Sequence, residues 1–311
     1  MHIKNLLYLY LFVVLFSACN STKKITSDND IYNKPLSANF DFEGHRGCRG
    51  LMPENTIPAM LKAIDLGVTT LEMDIVFTKD NVAILSHEPF FNHEISTKPD
   101  GQYINEAEEK SFNIYKMTFA QTQKYDVGLK PHPRFEKQQK LKVSKPSLSL
   151  LIDSVENYTT INNKPKLLYN IETKTTPETD KIFHPTPAVF VNMLMKVIQQ
   201  KKIEERVIIQ SFDRRTLQYT HKKYPSVKTA LLVEGLDKNS FRKQLKDLGF
   251  NPTIYSPEQV LVNPNLIKEC HKRNIEIIPW TVNDKKEITK LKTMGVDGII
   301  SDYPDLFKSI K

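Results

Sequence analysis

The chain alternates between strand-like and helix-like segments, and this alternation limits the fold more than any other feature. Short apolar runs typical of buried strands recur, and segments with apolar residues at helical spacing separate them. If residues 82–85 are counted as the returning arm of a hairpin, eight runs remain. They begin near positions 42, 70, 166, 206, 228, 253, 276 and 298. Eight strands alternating with helices predict an α/β fold, a (β/α)8 barrel of the TIM type.

The size and charge of the chain agree with a single enzyme-sized domain. It has 311 residues and a formal net charge of +8, from 44 Lys and Arg against 36 Asp and Glu. The basic residues are spread along the chain instead of forming a block interleaved with aromatic residues, so we expect no nucleic-acid partner. The excess of positive charge instead favours anionic substrates or lipid head groups.

The N-terminus is typical of an exported protein. Residues 1–19 contain an apolar run over residues 6–16, which is too short to cross a bilayer comfortably and fits a signal peptide. Small residues precede Cys19 and resemble a lipobox, so we expect cleavage there and lipidation of Cys19. A plain secretory peptide cleaved near Ala18 is the alternative. We therefore predict an exported lipoprotein held on a membrane by its N-terminal lipid anchor.

The rest of the chain divides into a tether, a barrel and an insertion. Residues 20–38 are rich in Ser, Thr, Lys, Asp and Asn, which predicts a flexible tether. The barrel is predicted to occupy residues 39–311. Within it, residues 89–146 are mostly polar and interrupt the strand–helix rhythm for longer than a βα loop needs. We expect this insertion to cap the mouth of the barrel.

Two carboxylates lie close together in the strand predicted over residues 70–77. Glu72 and Asp74 are two positions apart, so a strand places both on one face and its apolar residues on the other. Two carboxylates on an inward face would repel each other and lose their hydration. A bound cation would remove both penalties. The strand therefore indicates a metal site, although a solvated strand face is the simpler alternative for an isolated Glu-x-Asp pair.

Several short motifs accompany this pair in a fixed order. His45-Arg46-Gly47 follows the first strand, Pro53-Glu54-Asn55-Thr56 precedes the first helix, and His87-Glu88 follows the hairpin. Together with Glu72-x-Asp74 they resemble the glycerophosphodiester phosphodiesterase family, whose catalytic half carries such motifs. The resemblance covers roughly residues 40–311 apart from the insertion.

The resemblance implies a fold and a cofactor. The fold is a TIM barrel of the phospholipase-C-like phosphodiesterase type, which agrees with the strand count. The implied cofactor is one divalent cation, Ca²⁺ or Mg²⁺, held by three carboxylates. Ile171-Glu172-Thr173-Lys174 matches the family segment that supplies the third carboxylate. The implied metal ligands are Glu72, Asp74 and Glu172.

The resemblance also implies catalytic and substrate-binding residues. His45 and His87 would act as general base and general acid, in an order that the sequence leaves open. Glu54 and Asn55 would orient a histidine or bind glycerol, whereas cationic side chains would lie near the phosphate. The implied substrate-binding residues are Arg46, Glu54, Asn55, Lys174 and Trp280.

The favoured function is metal-dependent hydrolysis of glycerophosphodiesters to glycerol 3-phosphate and an alcohol, and two alternatives stay open. The same site could act on an intact phospholipid or sphingolipid, which would need an apolar entrance. The polar insertion instead favours a small water-soluble substrate. The chain could also be a binding lipoprotein built on an inactive barrel, but its complete set of motif residues favours an enzyme.

Overall fold

The computed structural model describes residues 40–310, and the predicted signal peptide, tether and lipidation site lie outside this range. The strands are β1 (Asp41–Gly44), β2 (Thr70–Phe77), β3 (Ala83–Leu85), β4 (Leu168–Thr173), β5 (Val207–Ser211), β6 (Lys228–Val233), β7 (Ile254–Pro257), β8 (Glu276–Ile277) and β9 (Gly298–Ser301). The helices are α1 (Ile57–Leu66), α2 (Phe119–Thr122), α3 (Leu148–Ile161), α4 (Pro187–Lys201), α5 (Arg214–Lys223), α6 (Phe241–Leu248), α7 (Pro264–His271) and α8 (Lys285–Met294). Among these helices of residues 40–310, none is both long and apolar enough to cross a bilayer.

Eight parallel strands form the predicted barrel. Their order in the sheet is β8-β7-β6-β5-β4-β2-β1-β9. The strands at the two ends of this order, β8 and β9, are joined by backbone hydrogen bonds between the segments around them. Asp297 N–H donates to the Ile277 carbonyl at 3.0 Å, and Val282 N–H donates to the Ile300 carbonyl at 2.9 Å. Just beyond β8, Pro279 has no N–H to donate towards β9, but its carbonyl accepts from Ile300 N–H at 3.0 Å.

The hairpin predicted after β2 is confirmed. β3 runs antiparallel to β2 and stands outside the barrel order. The turn contains Asn81 at φ 62°, a left-handed conformation that asparagine adopts more readily than most residues. His87 follows two residues after β3. The hairpin therefore returns the chain to the carboxyl ends of the barrel strands.

Two apolar layers support the barrel. The larger one lies between the strands and the surrounding helices, where Leu71, Met73 and Ile75 of β2 are fully buried. The smaller one forms a cluster of side chains from neighbouring strands: Ile208, Ala230, Ile254, Ile278 and Ile300, with Trp280 packed against them. Rigid strands on a packed core hold the residues at their ends in fixed positions.

The insertion has an apolar cluster of its own, packed on the β2–β3 hairpin. The members are Val76 and Ile84 of the hairpin and Phe91, Ile95, Ile104, Ile114 and Val127 of the insertion. The insertion also reaches the barrel, because Gln138 Nε2 donates to the Arg49 carbonyl at 2.8 Å. Arg134 lines the cavity at the mouth. The insertion thus forms one wall of that mouth.

A buried carboxyl group inside the barrel has one oxygen that meets no hydrogen-bond donor among the described residues. Glu43 of β1 accepts a hydrogen bond from Asn170 Nδ2 at 2.8 Å through Oε2, whereas Oε1 meets none. Burial, followed by the charge of Asp41, raises the pKa of Glu43 well above its ordinary value. The folded protein therefore keeps Glu43 protonated at pH values at which the unfolded chain has already ionised it.

This raised pKa makes a prediction about stability. Because the unfolded state loses its proton first, the free energy of unfolding should fall as pH rises from the ordinary carboxyl range towards the raised pKa. Glu43→Gln should remove the part of this dependence that Glu43 contributes. We expect the variant to be more stable by about 1–3 kcal/mol in mildly alkaline buffer, the usual cost of an uncompensated buried polar group. Urea unfolding at mildly acidic and mildly alkaline pH measures the difference, with exposed Glu136→Gln as control. An equal difference at both pH values would contradict the prediction.

Candidate active site

Three carboxylates meet at the carboxyl ends of β2 and β4. Glu72 and Asp74 belong to β2 and Glu172 to β4, and one oxygen of each lies within 4.8 Å of the others. The strand register places Asp74 directly beside Glu172, which explains their convergence. All three side chains are buried. Hard carboxylate oxygens at this spacing suit Ca²⁺ or Mg²⁺, so the donor set fits the predicted divalent cation.

Burial and charge perturb the ionisation of this carboxylate cluster. Burial raises the pKa of Glu172 to about 7. Burial, together with the charge of Asp74, raises the pKa of Glu72 well above its ordinary value. Burial opposes the ionisation of Asp74 as well, but the charge of Arg46 and other cations outweighs it and holds that pKa well below its ordinary value. A divalent cation would favour the ionised form of all three groups.

Each carboxylate of the cluster also accepts a hydrogen bond from a nearby donor. These bonds fix the oxygens in place, as hydrogen-bond donors next to metal ligands commonly do. Glu72 accepts from Arg46 N–H and from Gln210 Nε2, Asp74 accepts from Asn55 Nδ2, and Glu172 accepts from Lys174 Nζ. All four donor–acceptor distances are 2.7–2.8 Å. Three predicted substrate-binding residues, Arg46, Asn55 and Lys174, thus contact the predicted metal ligands directly.

His45 is oriented by a carboxylate that the sequence analysis did not identify. Its Nδ1 lies 2.6 Å from Asp302 Oδ1. Asp302 in turn accepts two hydrogen bonds from Arg49, at 2.8 and 3.1 Å, and one from Asn283 Nδ2 at 2.7 Å. The other ring nitrogen, Nε2, lies 4.0 Å from Glu72 Oε2. A proton held on Nδ1 by Asp302 leaves Nε2 as the proton acceptor of the ring.

The sequence carries one signal that could have identified Asp302. It follows β9 directly, and His45 follows β1. In a closed barrel the first and last strands are neighbours, so residues at both strand ends come together. Arg49 and Asn283 carry no comparable signal, because they stand in loops whose paths depend on the folded barrel.

His87 reaches the same cavity from the hairpin. Its Nδ1 lies 2.7 Å from Glu88 Oε1. Burial, followed by the charge of Arg46, lowers the pKa of His87. Burial, followed by the charge of Arg49, lowers the pKa of His45 to about 4. Both rings are therefore mainly neutral near pH 7, and a bound anionic phosphate would raise the pKa of a ring beside it.

Arg46 and Glu54 form a buried ion pair beside the cluster. Arg46 Nη1 donates to Glu54 Oε1 at 2.8 Å, and its Nε lies 3.2 Å from Asp74 Oδ2. Arg46 has φ 50° and Asn55 has φ 56°, both in the left-handed region. Such backbone conformations collect at functional sites, where surrounding contacts stabilise them. The two motif loops therefore hold Arg46 and Asn55 in unusual conformations against the carboxylates.

The site opens into a cavity of about 540 Å³. Its polar lining includes both histidines together with Arg46, Glu72, Glu172 and Lys174. Its apolar lining includes Phe212, Leu232, Trp280 and Ile300. Trp280 is fixed by a hydrogen bond from Nε1 to the Ser256 carbonyl at 2.9 Å. Predicted metal ligands, both histidines and an aromatic wall therefore surround one space large enough for a small ligand.

A comparison with known families decides the identity. The model of the glycerophosphoryl diester phosphodiesterase family matches residues 45–306. The chain belongs to this family. The resemblance inferred from the motifs is therefore confirmed, and with it the prediction that the chain is an enzyme, a phosphoric diester hydrolase.

Relatives of this phosphodiesterase match it over most of their length. A glycerophosphodiester phosphodiesterase from Caldanaerobacter subterraneus subsp. tengcongensis is 28% identical over 263 residues, covering 84% of this chain and 93% of the relative. A solved structure from Silicibacter pomeroyi DSS-3, provisionally assigned as a glycerophosphoryl diester phosphodiesterase, has a TM-score of 0.78 and 27% identity, covering 91% of this chain and 96% of that one. A phosphodiesterase from Oleispira antarctica, solved with sn-glycerol-3-phosphate, shares the fold with a TM-score of 0.67 at 19% identity. The match covers 86% of this chain and 95% of that one.

Proposed function

We propose that the protein hydrolyses glycerophosphodiesters to glycerol 3-phosphate and an alcohol, with one divalent cation and with His45 and His87 as proton-transfer groups. One observation carries this proposal. Both histidines and the carboxylate cluster line or adjoin the same cavity. A phosphodiester needs charge neutralisation, an activated nucleophile and a protonated leaving group, and this cavity contains groups suited to each task.

Charge neutralisation falls to the cation and to two basic side chains. A cation held by Glu72, Asp74 and Glu172 would act as a Lewis acid on the phosphate oxygens. Lys174 and Arg46 both line the cavity and add positive charge beside the cluster. Arg46 has a planar fork that matches phosphate geometry, and its pairing with carboxylates keeps the fork in a fixed orientation.

The two histidines divide the two proton transfers. Asp302 holds His45 with Nε2 as the acceptor atom, which favours His45 as the base that removes the proton of the attacking hydroxyl, a hydroxyl of the substrate's own glycerol group. His87 then donates a proton to the alcohol oxygen as its bond to phosphorus breaks. Water then opens the resulting cyclic phosphate and supplies the oxygen that phosphorus gains overall, so one diester and one water give glycerol 3-phosphate and one alcohol.

The test is hydrolysis of glycerophosphocholine with and without a chelator. We expect stoichiometric choline and glycerol 3-phosphate, loss of activity in excess chelator, and recovery with Ca²⁺ or Mg²⁺. Asp74→Asn should weaken metal binding and also lower stability, because Arg46 and Lys174 stabilise the ionised form of Asp74 in the folded protein. Asp153→Asn, an exposed carboxylate on α3, is the matched control. Full activity in excess chelator would refute the metal dependence, and release of phosphocholine would refute the proposed bond cleavage.

Export and lipid anchoring through Cys19 stay predictions from the sequence, since these residues lie outside the described range. If they hold, the phosphodiesterase acts while tethered to a membrane surface. Membrane fractionation of a Cys19→Ser variant tests them, and membrane retention of that variant would contradict the anchor.

A further inference from the structure

Four exposed apolar side chains lie in consecutive loops at the mouth of the barrel. Ile182, Phe212, Leu236 and Val260 stand in the loops after β4, β5, β6 and β7, which are neighbours in the sheet. Their exposed fractions are 49%, 37%, 90% and 69%. Single exposed apolar residues are ordinary, but a group of them on adjoining loops beside a ligand cavity indicates a binding surface. We call these four residues the apolar rim.

The apolar rim continues the apolar wall of the cavity. Phe212 belongs to both, because it lines the cavity and is also exposed at the mouth. Its ring stands edge-on to that of Trp280, with centroids 5.5 Å apart. Leu232, at the end of β6, lines the cavity beside them. Apolar side chains therefore extend from the cavity outwards along the loops, with Glu234 and Thr281 as polar neighbours in the same lining.

The outer part of the rim is held together by contacts between the loops after β6 and β7. Gly235 N–H donates to Glu258 Oε2 at 2.7 Å. A Cβ atom on Gly235 would lie 2.9 Å from Val260 Cγ2, so the two loops touch there. Gln259 N–H donates to the Trp280 carbonyl at 2.8 Å. Leu236 follows Gly235, which places it close to Val260 and outside the aromatic wall.

The other side of the mouth is lined mainly by polar and charged side chains. A polar recess of about 490 Å³ lies under the insertion. Its walls include two ion pairs, Arg134 with Glu94 at 2.7 Å and His93 with Glu109 at 2.8 Å. A ligand with one polar and one apolar end would therefore find a different surface on each side of the phosphate site.

We propose that the apolar rim binds the alkyl chain of a single-chain phosphodiester lipid whose phosphate lies at the carboxylate cluster. This assignment rests on the proposed function for the position of the phosphate. The apolar residues continue into the cavity, which a flat bilayer cannot enter. A flexible chain attached to the bound diester can contact the inner wall and the exposed rim together.

Trp280 provides a direct measurement because the sequence contains a single tryptophan. The probes are alkylphosphocholines of increasing chain length, kept below their critical micelle concentrations, and the signal is Trp280 fluorescence. We expect Kd to fall about twofold with each added methylene, roughly half the effect of complete burial, because the rim covers the chain on one side only. The double variant Leu236→Ser, Val260→Ser should lose most of this dependence. Ile161→Ser on α3, also 69% exposed, should keep it.

Equal affinity for all chain lengths in the wild type would overturn the proposal, and so would a dependence that the double variant retains. A second copy of the chain is the other candidate occupant of the rim, and light scattering tests for it. A dimer that the double variant abolishes would assign the rim to that second copy and overturn the proposal. Binding needs no turnover. Failure to hydrolyse glycerophosphocholine would therefore refute the proposed function separately from the measured dependence on chain length.

Discussion

Replacing His87 with Ala should reduce kcat on glycerophosphocholine by about 10²–10⁴, the usual contribution of a positioned proton-transfer group. The same variant should recover most of its activity on a glycerophosphodiester whose alcohol is nitrophenol, because that leaving group departs without protonation. His45→Ala should lose a similar factor on both substrates, because the attacking hydroxyl still needs a base. The losses should fall mainly on kcat, since the residues that hold the phosphate in the ground state are unchanged.

The activities of the two histidine variants on the two substrates assign each histidine to one proton transfer. Steady-state kinetics on the two substrates measure it, with His271→Ala as control because His271 is exposed and pairs with Asp297 on the surface. Recovery of the His45 variant in place of the His87 variant would reverse the proposed roles. Near wild-type kcat in both variants would show that the histidines are structural and that the proposed mechanism is wrong.

Asp302→Asn should also reduce kcat strongly, although Asp302 acts only through His45. An asparagine amide can donate to Nδ1, which would move the ring proton to Nε2 and remove the acceptor that faces Glu72. We expect a loss that approaches that of His45→Ala, on the order of 10²–10⁴ in kcat, with little change in KM. Nitrogen NMR of labelled histidine should report the change of tautomer at His45 independently of activity.

A second Asp–His pair provides the matched control for this variant. Asp297 lies 2.9 Å from His271 Nε2 at the protein surface, away from the cavity lining. Asp297→Asn should leave kcat unchanged. Because Asp302→Asn also weakens the contacts of Arg49, its thermal unfolding should be measured alongside. An Asp302→Asn protein that is folded, retains the wild-type tautomer of His45 and is fully active would contradict the positioning role.

The sequence determines much of this fold because its signals are local. Strand and helix periodicities depend on residues a few positions apart, and they correctly predict the barrel and the hairpin arm after β2. The pair Glu72 and Asp74 can be predicted for the same reason, since residues two positions apart on a strand lie on the same face. Glu172 could be joined to this pair only through family resemblance, because its register against β2 is a long-range property.

The remaining features depend on contacts between distant parts of the chain. Arg49 and Asn283 meet at Asp302 only after the barrel closes, and no local pattern distinguishes them from other loop residues. From the sequence, the polar insertion is expected to determine the character of the entrance and to favour a water-soluble substrate. The apolar rim arises instead from single residues in separate loops, which become one surface when neighbouring strands align.

The separate apolar cluster of the insertion has a consequence for protein engineering. Phe91, Ile95 and Ile104 pack with the β2–β3 hairpin in a cluster distinct from the main core. Substitutions at these insertion residues leave the main core unchanged, but the cluster also contains Val76 of β2, the strand that carries Glu72 and Asp74. An exchange of the segment between related barrels would therefore alter the polar wall of the entrance, and it must preserve the packing against Val76 and Ile84 if the hydrolytic centre is to be retained.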